Sequence, residues 1–171
     1  MTEAVAGSVS EIDGFRQLAG MTYQVVRMNV EGVTHEESLS QPLPGGNCLN
    51  WVVGHLLNIY ESALPLLGQE TVMEAGALDR YRRGGPPLRD PAEATDLADL
   101  MAAWKEASGR IDAGLVGLAP EALDRPAPFS PSDDPDETVR SLLNTIFFHQ
   151  AYHAGQTGLL RRMAGKEGAI P

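Results

Sequence analysis

Seven residues between Val139 and Leu160 fall at alternating spacings of three and four: Val139, Leu142, Ile146, His149, His153, Gln156 and Leu160. That rhythm places all seven on one face of an α-helix. The row opens with three aliphatic residues and closes with leucine, so it faces a core. Two imidazoles and an amide are carried inward with it. A chain that puts histidines where leucine is expected must either satisfy them with hydrogen bonds or give them something to bind.

Three further segments have helical periodicity, and no segment longer than a few residues alternates as a strand would. The first follows Ser10, a candidate cap, and places Ile12, Phe15, Ala19, Thr22, Val26 and Val33 on one seam interrupted at Asn29. Gly32 and the polar run from Thr34 to Ser38 end it. The second follows Pro44-Gly45-Gly46, with Asn47 as its expected cap, and runs through Leu49, Val52, Val53, Leu56, Ile59, Ala63 and Leu67. Pro65 or Gly68 stops it. The third is expected to start at Asp90, with Pro91 in the first turn and Glu93 completing a capping box. Leu97, Met101, Trp104, Ile111, Leu115 and Leu118 form its seam. The last helix repeats that grammar with Asp134, Pro135 and Glu137, and Gly165 closes it.

Four amphipathic helices of this length predict an all-α four-helix bundle, in one domain spanning residues 1–171. The stretch from Gln69 to Arg89 predicts a long crossover between helices 2 and 3 rather than a hairpin. The formal net charge of −10 disfavours nucleic-acid backbones. No apolar run approaches the roughly 20 residues a transmembrane helix needs. Met1 to Ser10 lacks the basic start and apolar stretch of a secretory signal. A single cysteine, Cys48, fits a reducing compartment, and a cytoplasmic location is expected.

His149 and His153 lie one helical turn apart, the spacing at which two imidazoles reach one ion. His55, in the row Val52, His55, Ile59, can face them from the second helix. Three imidazoles would suit zinc, nickel, copper or iron(II). The other reading is a metal-free polar core, with the rings satisfied by Asn50, Tyr60, Gln156 or buried water. Cys48 is either a small buried residue or a further thiolate ligand. His35 is read as solvated. The run His149-Gln150-Ala151-Tyr152-His153 has the spacing of a zinc-protease helix, but Gln150 replaces its glutamate base and excludes that chemistry.

The run Asn47-Cys48-Leu49-Asn50-Trp51-Val52-Val53-Gly54-His55-Leu56 resembles the second-helix motif of the DinB/YfiT-like superfamily. Phe148-His149-Gln150-Ala151-Tyr152-His153-Ala154-Gly155-Gln156 resembles its last-helix signature, and Leu160 to Lys166 its ending. The resemblance implies a divalent metal, zinc or nickel, held by His55, His149 and His153, and a homodimer. It also implies an enzyme of the thiol S-transferase or hydrolase type, with a small-molecule substrate such as a low-molecular-weight thiol. Gln156 is the expected residue behind the ligands. Some relatives carry an acidic residue where Tyr60 stands here, so no carboxylate base is assigned. The alternative is a non-catalytic metal-binding bundle with a structural or ligand-sensing role.

Two surface features complete the expectations. Arg80, Arg82, Arg83 and Arg89 cluster in the crossover, where Arg82 and Arg83 would hold a substrate carboxylate or phosphate if the loop closes over the metal. A solvated loop is the alternative. Met21, Val25 and Met28 form a second apolar row on the first helix, suited either to a dimer surface or to extra core. Trp51 and Trp104 are read as core or interface anchors, and Arg161-Arg162 as cations at a helix C-terminus.

Overall fold

The computed structural model describes residues 10–42 and 46–170. The N-terminal stretch read as lacking a secretory signal lies outside these residues except for Ser10. So do Pro44 and Gly45 before the second long helix. The elements are α1 (Glu11–Val30), a one-turn α2 (His35–Ser38), α3 (Leu49–Ala63), α4 (Leu97–Gly117) and α5 (Val139–Met163). Short 3-10 turns punctuate the connections. The described residues contain no strand, only one isolated bridge between Pro126 and Thr138.

Side-chain contacts fix how the four long helices run. Arg140 near the start of α5 pairs with Glu11 at the start of α1, and Asn29 near the end of α1 donates to Thr157 Oγ1 (2.9 Å) near the end of α5. These two helices are therefore parallel. Arg16 at the start of α1 bonds Asp112 at the end of α4 (2.8 Å), so that pair is antiparallel. Asn50 reaches Thr95 O just before α4, and Tyr60 stacks on Trp104 at 4.6 Å. Farther along, Gly114 packs on Leu67. Hence α3 and α4 run parallel, and only a long connection can return the chain from the end of one to the start of the other. The crossover expected from the sequence is thus a geometric necessity of the bundle.

The core is continuous across all four helices. Val26, Val53, Leu56, Leu57, Leu100, Trp104, Ile111, Leu115 and Leu142 are fully buried. On α4, Met101 is only half-buried and Leu118 lies beyond the helix; Leu100, Ala103 and Ala107 fill that face instead. Asn29 interrupts the apolar seam of α1 but not the helix, because Thr157 satisfies it in the core. Val25 packs against the core, Met28 is half-buried and Met21 is exposed.

Several helix starts differ from expectation. Ser10 caps α1 as expected and forms a capping box with Asp13. The second long helix starts after Cys48 rather than Asn47, and no side chain caps it. Asp90 caps only a 3-10 turn, through Ala92 N–H (2.9 Å). Glu93 is held by Arg80, while Thr95 N–H donates to Tyr81 Oη and Thr95 O accepts from Asn50. Those contacts keep the chain extended until Asp96 caps α4. Asp134 likewise caps a turn, through Asp136 N–H. Glu137 is instead buried, accepting from Ser130 Oγ (2.8 Å) and Ser141 Oγ, and Thr138 with Ser141 caps α5. The polar run after α1 is itself a one-turn helix with a Thr34–Glu37 box. Within it His35 is only partly exposed, and its Nδ1 accepts from Leu97 N–H (3.2 Å), correcting the solvated reading. Arg161 and Arg162 lie in the last turn of α5 as expected, and Arg161 also donates to Asn29 O (3.1 Å) and Glu31 O (2.5 Å) at the end of α1.

Candidate metal centre

Antiparallel packing of α3 on α5 brings His55, His149 and His153 together. One nitrogen of each ring lies within 4.8 Å of the others, and no Cys, Asp or Glu among the described residues joins the group. Ring centroids are 5.0 Å apart for His55–His149 and His55–His153, and 4.4 Å for His149–His153. His55 is buried at 2% exposure, and the other two are half-buried.

Hydrogen bonds orient two of the rings. His55 Nδ1 lies 2.7 Å from Tyr81 O, so it carries the proton and leaves the Nε2 lone pair free. His153 Nδ1 lies 2.8 Å from Gln156 Oε1; assigned as the donor, it likewise frees Nε2. The Nε2 atoms of His55 and His149 are 3.1 Å apart. Nδ1 of His149 is buried without a protein partner, so packing and the contact with His55 set that ring. Burial lowers the pKa of all three imidazoles, and takes His149 down to about 4 with help from His153, His55 and Arg83. The Tyr81 carbonyl and Gln156 oppose the shifts of His55 and His153 but do not reverse them.

This donor set fits a borderline divalent cation. Neutral imidazoles suit zinc or nickel, and the group lacks the oxygen ligands that magnesium and calcium require. Bonds of about 2.0–2.1 Å in a tetrahedral arrangement separate two ligand nitrogens by roughly 3.3 Å, close to the His55–His149 spacing.

Behind the rings stands a layer that the sequence did not reveal. Tyr81, in the 3-10 turn Asp79–Tyr81, is fully buried and donates from Oη to Asn50 Oδ1 (2.9 Å). Its ring lies against Gly54, where an added Cβ would meet Tyr81 Cγ at 2.5 Å. A glycine inside an otherwise apolar helix was the available clue to close approach. Trp51 stacks on His55 at 4.7 Å.

Other expected residues divide. Asn50 supports Tyr81 rather than a histidine, and Tyr60 stacks on Trp104. Gln150 donates to Leu56 O (2.9 Å), a structural role. Glu61 accepts from Val72 N–H and Met73 N–H, fixing the crossover. Cys48 is buried apart from the cluster, and burial raises its thiol pKa. Arg82 pairs with Asp79 (2.7 Å) in a separate recess. Arg83 lines a cleft of about 280 Å³ that reaches His149.

No curated protein matches the chain. A crystal structure described as the conserved protein of a locus from Enterococcus faecalis shares the fold, with a TM-score of 0.71 at 14% identity, covering 93% of this chain and 100% of that one. Residues 20–157 match the family model of the DinB superfamily. The chain belongs to the DinB superfamily.

Proposed function

We propose that His55, His149 and His153 hold one divalent cation, zinc or nickel, and that the protein is a metal-dependent enzyme of the thiol S-transferase or hydrolase type. The observation carrying this reading is the convergence of two hydrogen-bond-oriented imidazoles on a third that no protein hydrogen bond satisfies at Nδ1. A cation on neutral imidazoles supplies Lewis acidity, lowering the proton affinity of a water or thiol. The chain's own residues do the rest. Tyr81 O and Gln156 hold the proton on Nδ1 of their histidines and aim Nε2 inward. Trp51 closes one side of His55.

The cleft beside His149 favours an enzyme over the alternative of a closed structural site, because it gives a small molecule access to the ligands. Among the described residues no helix is long and apolar enough to cross a membrane. The homodimer belongs to the same proposal. Phe148, Tyr152, Leu159 and Met163 form an outward apolar row on α5 that is available for it.

The function is tested by turnover with a panel of low-molecular-weight thiols and electrophiles, and with activated esters and amides. The expected result is activity that disappears with chelation and returns with zinc or nickel. Absence of metal-dependent turnover across the panel would leave the non-catalytic reading.

A further inference from the structure

The cleft beside His149 has a composition that bears on substrate choice. Ile59 and Ser62 of α3 form one wall, and Thr145 and Ile146 of α5 form another. Phe129 and Pro131 complete it from the loop before α5. That loop is a built element. Ala127 N–H donates to Glu137 O (2.8 Å), Val139 N–H donates to Arg125 O (2.9 Å), and the buried Glu137 carboxylate holds Ser130 and Ser141. Phe129, though 41% exposed, therefore sits between anchored points and presents a fixed apolar surface.

Arg83 differs from the arginines beside it. Arg80 is engaged by Glu93 and by the carbonyls of Pro86 and Pro87, and Arg82 by Asp79. Arg83 makes no ion pair or hydrogen bond with the described residues, and no carboxylate lines the cleft. In a chain with 23 acidic and 13 basic residues, an exposed guanidinium at an apolar cleft with no carboxylate partner is open to an anion.

We infer that the cleft takes organic anions with an apolar body, Arg83 pairing with the carboxylate while Ile59, Ile146 and Phe129 receive the hydrocarbon. The inference deepens the function proposed above and rests on it for the reaction, but not for binding. Arg82, which the sequence grouped with Arg83, has no part in it.

Octanoate, octan-1-ol and octylammonium are the probes, titrated into the full chain as purified and after chelation, with backbone amide resonances as the readout. Octanoate is expected to shift Ile59, Phe129 and Thr145, and to bind more tightly than the alcohol or the amine in both preparations. Arg83→Gln should weaken octanoate about tenfold. Arg82→Gln should leave it unchanged, and Phe129→Ala should weaken octanoate but not acetate. Equal binding of octanoate and octanol, or unchanged affinity in Arg83→Gln, would overturn the inference. Octanoate binding that survives Arg83→Gln but requires the metal would place the anion on the cation, overturning the inference while leaving the metal reading intact. Arg83-dependent binding in a protein that takes up no metal would support the cleft and sink the metal reading.

Discussion

Nε2 of His55 lies 3.1 Å from Nε2 of His149, although the two residues are 94 positions apart in the chain. With Nδ1 of His55 donating to the Tyr81 carbonyl, two ring nitrogens face each other across α3 and α5. The pair is met either by His149 in its Nε2–H tautomer, donating to His55 Nε2, or by a cation bound to both nitrogens. The depressed pKa values keep both rings neutral, the form in which an imidazole can bind a cation.

Gly54 should prove intolerant of the smallest side chain. Gly54→Ala drives a methyl into the buried Tyr81 ring, which must move together with the carbonyl that orients His55. A loss of about 1–3 kcal/mol is expected from overpacking. Metal affinity should fall with it. Thermal melts with and without zinc measure both effects.

On the proposed metal reading, Gln156 orients His153 through its side-chain oxygen and is not needed for the fold. Gln156→Leu removes the acceptor at 2.8 Å from Nδ1, and metal affinity should drop about 10- to 100-fold. Stability of the chelated protein should change little. Competition with a chromophoric chelator reads the first quantity and a melt reads the second.

Stability of the chelated protein should depend on pH through the histidine cluster. A histidine whose folded pKa is depressed binds fewer protons folded than unfolded, so stability rises with pH in the window between the two values. For His149 that window runs from about 4 up to the ordinary histidine value of 6.5. Above it the contribution is flat; below 6.5 stability falls progressively. Denaturant titrations across this range should give a slope in the parent that is reduced in His149→Phe.

The bundle was legible because its periodicity is local, and α1 and α5 read almost directly from their seams. The starts of α4 and α5 were not. Asp90-Pro91 and Asp134-Pro135 carry cap chemistry, yet Tyr81, Asn50, Ser130 and Ser141 claim the residues that follow. Asn50 reaches Thr95 from 45 residues away and Ser130 reaches Glu137 from the irregular loop before the helix, so neither contact leaves a helical pattern. The histidines stood out because they replaced leucines on a seam. Tyr81 did not, since a 3-10 turn has no amphipathic rhythm and its function is exercised by a backbone carbonyl. The split between Arg82 and Arg83 was equally hidden, because Arg82 ends the 3-10 turn and Arg83 enters the next turn, where no periodicity fixes a side chain's direction.

The most direct test of the central claim is elemental analysis of untagged protein beside His153→Ala. Close to one equivalent of zinc or nickel per chain is expected in the parent, with its loss in the variant. No metal in the parent, even after incubation with zinc and nickel ions, would contradict it and leave the three histidines as a polar core.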